Sequence, residues 1–313
     1  MRLSRALVSK GVAAACLALS FAAPAADAPP VPLLWTATSG DNTVYLLGSF
    51  HLLKPGDYPL APEVYEAMAD AELVLFEVPP EELESTTVAL DMLQRATRGD
   101  GTTLDEDIGP ALAARVRAWV EDLPPGDPLG AETLQRFEPW FVGLTVSIRQ
   151  MEQAGLDGEL GLDKHLMARA AKYGKATGGL ETAGQQIALF DTMDPVEQVQ
   201  LLADALDDAE AGGAELEQLH ADWRTGRARA LWNGMAADLR REFPQLYKAI
   251  NVDRNRAWLP KIVERLGAPG GDDTLVVVGA LHLLGEDGVV EMLRTQGHHV
   301  ERSCAACPGR GDD

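Results

Sequence analysis

The sequence predicts an α/β protein: a mixed central sheet built from both ends of the chain, with a large helical middle region. Three observations predict it. Apolar runs of strand length cluster between residues 33 and 78 and return between 274 and 303. The stretch between them carries helical periodicity, with apolar residues three and four apart. No repeat array or low-complexity tract marks a clean border, so one sheet with a helical insertion is the economical arrangement.

Taken in order, Leu33–Thr38 and Thr43–Gly48 read as strands joined by Ser39-Gly40-Asp41-Asn42, a strong hairpin signal. Pro62 to Ala71 reads as helix, and Leu73–Val78 as a short buried strand ended by Pro79-Pro80. Glu81 to Leu123 is helical with Gly and Asp breaks, and Pro124 to Pro128 is a loop. Pro139–Gln153 sets Trp140, Phe141, Leu144, Ile148 and Met151 on one face. Leu160–Tyr173 is an amphipathic helix stopping at Gly174, followed by a glycine-weakened strand over Lys175–Glu181. Helices are expected over Thr182–Phe190, Pro195–Ala211, Ala214–Thr225, Ala228–Arg240 and Arg254–Leu266. Thr274–Gly279 is a clean apolar strand, Gly285–Gly297 a helix, and His299–Ser303 a closing strand.

The N-terminus sets an expected compartment. Arg2, Arg5 and Lys10 precede an apolar run from Gly11 to Ala23, and Ala23-Pro24-Ala25 offers small residues at a signal-peptidase site. Residues 1–25 therefore read as a cleaved secretion signal, and the mature chain as periplasmic or secreted. Cys16 after Ala13-Ala14-Ala15 suggests a lipoprotein signal, but the run between Lys10 and Cys16 is too short for one. The remainder reads as a single domain over 26–303 and a flexible tail over 304–313. No later run approaches the roughly 20 apolar residues of a membrane helix. Cys304 and Cys307 lie in the tail, followed by Pro308 and Gly309, which suits a local disulfide better than a redox or zinc site.

Charge excludes one class of partner. With 27 basic against 48 acidic residues the chain carries −21, more once the basic start is removed. Such a field repels nucleic acid and favours solubility and cationic partners.

Two segments resemble each other: Val44-Tyr45-Leu46-Leu47-Gly48-Ser49-Phe50-His51 and Leu275-Val276-Val277-Val278-Gly279-Ala280-Leu281-His282, each followed by two leucines. In both, a glycine ends a buried run, where its missing Cβ lets the chain turn, and the histidine follows on the loop. Leu73-Val74-Leu75-Phe76 likewise runs straight into Glu77. Ligands bind beyond the carboxyl ends of strands in open α/β sheets, so His51, Glu77 and His282 are candidate metal ligands. The competing reading is structural: packed histidines, and Glu77 paired with an arginine. No Gly-x-Ser-x-Gly, His-Glu-x-x-His or phosphate-binding glycine loop is present. His165 reads as a surface or supporting residue and His220 as solvated.

Gly48-Ser49-Phe50-His51, Phe76-Glu77-Val78, Gly161-Leu162-Asp163, Gly179-Leu180-Glu181-Thr182 with Gln185, Arg254-Asn255 and Val278 to Gly285 together resemble the TraB/GumN family of bacterial proteins. The resemblance spans nearly all of the mature chain and links it to the Tiki metalloproteases and, more distantly, to erythromycin-esterase-like and ChaN-like proteins. It implies a mixed-sheet fold with a divalent metal (manganese, cobalt or zinc) held by His51, Glu77 and His282. It also marks Glu181 and Arg254 as recurrent polar positions: a candidate general base and a candidate oxyanion donor. The implied function is an exported metal-dependent hydrolase, plausibly a peptidase, acting on a peptide or small molecule. The alternative is a non-catalytic envelope binding or scaffold protein that keeps the fold.

Overall fold

Six strands form one sheet in the order β4-β3-β5-β2-β1-β6. They are β1 (Leu34–Ser39), β2 (Asn42–Ser49), β3 (Leu73–Phe76), β4 (Ala176–Gly179), β5 (Thr274–Gly279) and β6 (His299–Arg302). This computed structural model describes residues 28–307; the expected signal segment and residues 308–313 lie outside the described residues. The chain is therefore mixed α/β, as its sequence predicts.

The sheet has one reversed member. β1 runs antiparallel to β2, which it joins through a tight turn in which Gly40 takes a φ of 59°, and antiparallel to β6 on its other side. β4, β3, β5 and β2 are parallel to one another. Parallel strands are buried on both faces and read as continuous apolar runs. β5 fits: Leu275, Val276, Val277 and Val278 are almost wholly enclosed.

Helices from both sides of the sequence share the sheet's core. Val64 and Met68 of Pro62–Asp70, Leu166 and Ala170 of Leu162–Tyr173, and Trp258, Ile262 and Leu266 of Arg254–Leu266 pack with the strands. The helical middle adds a second cluster, in which Leu104 and Val116 meet Val142, Val146, Leu202 and Leu206.

Several elements differ from expectation. Ala228–Arg240 is not one helix: Ala228–Trp232 gives way to a wide π turn at Asn233–Ala237 and a short helix, Asp238–Glu242. A second π turn, Lys248–Asp253, leads directly into Arg254–Leu266. The helix expected from Gly285 begins only at Val289: Gly285 adopts a φ of 73°, and Gly288 is extended as the cap before Val289. The 304–307 portion of the tail carries the expected disulfide, Cys304–Cys307.

His220 is also not solvated. It is buried, with Nε2 at 2.8 Å from Asp57 Oδ2, and its ring stacks on Trp223. The cause is Asp57, which is itself buried just past β2 and needs partners for its charge. Arg224 supplies the second, at 2.6 Å.

The loop carrying His51 is fixed by close backbone packing. Leu162 N–H donates to the Phe50 carbonyl at 3.1 Å, and a Cβ on Gly161 would lie 2.2 Å from the His51 carbonyl oxygen. Neither backbone can yield cheaply. Gly161→Ala should therefore lower unfolding free energy by about 1–3 kcal/mol, the range for overpacking. Urea denaturation checks this against Lys172→Ala in the same helix, an exposed change expected within about 0.5 kcal/mol of the parent. Equal stability of the two variants would refute the packing argument.

Candidate active site

The parallel strands end at one edge of the sheet, Ser49 opposite Gly279 and Phe76 opposite Gly179. Just past that edge lie His51, Glu77, Glu181 and His282, the last on a 3-10 turn, Ala280–Leu283. Arg254 arrives from outside the sheet, at the start of its helix.

Gly279 is the centre of the arrangement. A Cβ placed on it would stand 3.2 Å from Glu77 Oε1, 3.5 Å from His51 Nε2 and 3.7 Å from His282 Cδ2. Three side chains distant in sequence thus point at one small space. Gly48 is likewise a point of close approach, to Leu33 and Ala280. Both glycines keep a negative φ, so they serve by lack of volume rather than by an unusual turn.

Each histidine is tethered through Nδ1, leaving Nε2 to face inward. His51 Nδ1 lies 3.1 Å from Asp163 Oδ2, while Ser49 Oγ donates to Asp163 Oδ1 at 3.2 Å. His282 Nδ1 lies 2.7 Å from Asn255 Oδ1. Asn255 turns its amide nitrogen to the Asp287 carbonyl at 2.7 Å, so its oxygen accepts and His282 Nδ1 carries the proton. Partners of this kind orient metal-ligating histidines.

Both Glu77 oxygens accept hydrogen bonds. Gly279 N–H reaches Oε1 at 2.6 Å, and Arg254 Nη2 and Gln186 Nε2 reach Oε2 at 2.6 and 3.0 Å. Arg254 also grips Glu181, with Nη2 at 2.6 Å and Nε at 3.0 Å from Oε1. Trp258 Nε1 donates to the other Glu181 oxygen at 3.2 Å. Finally, Arg254 Nη1 donates to His282 Nε2 at 2.9 Å.

These contacts separate the titrations. Burial pushes the Glu77 pKa up, but His282 and Arg254, then His51 and the Gly279 N–H, overcome it and lower it to about 2. Burial lowers the His282 pKa, opposed by Glu77 and reinforced by Arg254, to about 3. His282 is thus neutral at ordinary pH, and Arg254 is the lasting positive charge beside Glu77. Burial also pulls the His51 pKa down, but the hydrogen bond and charge of Asp163, with Glu77, raise it to about 9. The His51 side chain is 56% exposed, so solvent screening tempers these effects and the upward direction is the part that matters.

A cavity of about 270 Å³ opens over this edge, with His51, Glu77, Asp163, Gln186 and Gly279 among its lining residues. Glu181, Arg254 and His282 stand one layer behind. His282 Nε2 is 3.9 Å from Glu77 Oε1, and no group of three metal-ligating side chains stands preassembled among the described residues. Of the residues expected from sequence, His51 and Glu77 line the cleft, His282 stands just behind Glu77, and Glu181 and Arg254 form the ion pair beneath.

Sequence reasoning missed Asp163, Gln186, Asn255 and Trp258 as working parts. Asp163 and Asn255 sit within motifs already noticed, but an acid in a first helical turn and an amide on a helix look structural. Gln185, the more conspicuous glutamine, only closes a capping box with Thr182; its neighbour Gln186 reaches Glu77.

Fold and site together define a mixed α/β protein with a histidine–carboxylate cleft at the carboxyl ends of its parallel strands. The sequence profile of the TraB/PrgY/gumN family matches residues 33–302, and the chain belongs to that family. It is 24% identical over 264 residues to the uncharacterized protein YbaP of Escherichia coli (strain K12), covering 84% of this chain and 92% of that protein. The Shigella flexneri protein of the same name matches at the same identity and coverage. No solved structure gives a significant match.

The Asp163 tether makes a pH prediction. A histidine whose pKa rises on folding stabilises the fold fully below its unfolded value of 6.5, and that contribution is lost as pH climbs through about 9. Asp163→Asn should lower the His51 pKa in an NMR titration and flatten the fall in unfolding free energy over that window. An unchanged His51 titration would show that Asp163 does not hold the proton.

Proposed function

We propose that the chain is an exported, metal-dependent hydrolase of the Tiki-like type, cleaving peptide bonds at the cleft. The observation that carries this reading is the gathering of His51 Nε2, Glu77 Oε1 and the His282 ring around the missing side chain of Gly279. Export rests on the sequence, with a mature chain beginning near Ala26 in the periplasm or outside the cell.

The donor set suits a divalent ion. His51, Glu77 and His282 would hold manganese, cobalt or zinc through two imidazole nitrogens and a carboxylate, both imidazoles already oriented by their Nδ1 partners. Two adjustments are needed: Arg254 must release His282 Nε2, and His51 must give up its proton. When bound, the ion supplies the Lewis acidity that activates water and polarises a carbonyl.

The protein's own groups supply the rest. Arg254, freed from His282, directs a guanidinium N–H toward negative charge developing on a substrate oxygen. Glu181 keeps that guanidinium in place as its counter-ion and rests against Trp258 Nε1. Both its oxygens are engaged, which makes it a positioning residue in this reading instead of the general base expected from sequence. Gln186 holds Glu77 from the cleft side.

One observation favours a second reading. Arg254 occupies the lone pair of His282 that a metal would use, which suits a non-catalytic envelope binding or scaffold protein. Turnover separates the two. Protein reconstituted with each of the three metals is assayed on a diverse peptide library, beside a His51→Ala/His282→Ala variant. Cleavage by the parent with at least one metal and none by the variant is expected. Identical rates for both under every metal would leave the binding reading.

A further inference from the structure

The cleft is small for a polymer. Ligand pockets run from roughly 300 to 1,000 Å³, and the cleft offers about 270 Å³, room for the groups about one scissile bond. Beside it lies a larger cavity of about 1200 Å³. Leu83 and Met167 line both, so they form the neck between the two spaces.

That neck is apolar and open. Leu83 ends the short helix Pro80–Leu83 and is 51% exposed, a large aliphatic side chain facing solvent at the cleft mouth. Beyond it the wall turns acidic and aromatic: Glu81, Glu84, Glu159, Tyr58 and Tyr65 line it, with Lys164 as its ammonium. Lys164 is already paired with Glu159. The Glu81 and Glu84 carboxylates have no ion-pair or hydrogen-bond partner among the described residues. The nearby cation Arg169 is stacked between Tyr65 and Tyr173, at 4.4 and 5.3 Å from their ring centres. His165 is packed on Tyr58, and burial, with Arg169 beside it, pushes its pKa down. A cationic side chain would therefore meet the Glu81 and Glu84 carboxylates at the groove wall, while Arg169, held on Tyr65 and without a carboxylate partner, is the competing positive charge beside them.

The geometry points to an extended substrate groove: a peptide crossing the cleft places an apolar side chain on Leu83 and Met167 and a Lys or Arg side chain against Glu81 and Glu84. For the direction of turnover this rests on the hydrolytic reading above; for binding it does not. The chain's net charge of −21 adds long-range attraction for the same class of ligand.

The test uses the purified protein in EDTA and a fluorescent Leu-Lys-Lys peptide beside its Leu-Glu-Glu counterpart, with affinity read by anisotropy. The Lys peptide should bind about fivefold to tenfold tighter, as two partly screened charge pairs allow, and 0.5 M NaCl should remove most of that margin. Glu81→Gln/Glu84→Gln should abolish the preference; both residues are exposed, so the fold should be untouched, as circular dichroism would verify. Leu83→Ser should weaken both peptides alike. Equal affinity for the two peptides, no binding of either, or a preference that survives the double substitution overturns the proposal. Metal-reconstituted protein is assayed on the same peptides in parallel. Charge-selective binding without cleavage supports the groove and sinks the hydrolytic reading, whereas cleavage without charge selectivity does the reverse.

Discussion

Arg254 is the constraint on which the site depends. Two strands deliver carboxylates side by side, Glu181 N–H donating to the Glu77 carbonyl at 2.8 Å, and both side chains are largely enclosed. Two such charges repel, and each is unfavourable to bury alone. One guanidinium resolves this by binding both at 2.6 Å. Removing one partner of a buried ion pair costs about 3–5 kcal/mol, because the other charge is left uncompensated. Here a single loss would strand two. The Glu77 and Glu181 charges in turn hold Arg254 protonated, its pKa raised against the pull of burial.

The same guanidinium sets the state of His282. By donating to Nε2 while Asn255 accepts from Nδ1, the surroundings fix one neutral tautomer. Trp258 lies under both groups, 4.5 Å from the His282 ring and 4.6 Å from the guanidinium carbon. Arg254, Asn255 and Trp258 all come from the first turns of one helix, so that helix end is a rigid mount for the inner half of the site. The outer half, His51 with Asp163, is mounted separately through the packing of Gly161 on the His51 carbonyl. His282, held well below the usual histidine range, and His51, held above it, give the site two histidines in different states at one pH.

Much of this was legible in the sequence because strands write their burial directly. Val276 to Val278 and Val74 to Phe76 are apolar runs that end at the chemistry-bearing residues, so the sheet and the edge holding His51, Glu77 and His282 followed from them. The hairpin followed from Gly40. Contacts that depend on side-chain direction did not. Nothing local distinguishes Gln186 from Gln185, and Trp258 looks like any core aromatic on an amphipathic helix. Asp57 looks like a turn residue, so its need for His220 is invisible in the sequence, where His220 reads as solvated. The π turns just after Trp232 and just before Arg254 leave no periodic signature, since a single extra residue per turn is lost in a helical pattern.

Arg254 and a metal would claim the same lone pair of His282, and a crystal structure grown with manganese tests that competition most directly. Manganese is expected in the cleft, where His51, Glu77 and His282 would hold it. Arg254 should have turned off His282 while keeping Glu181. Manganese bound elsewhere, or none bound with Arg254 still donating to His282, would contradict it.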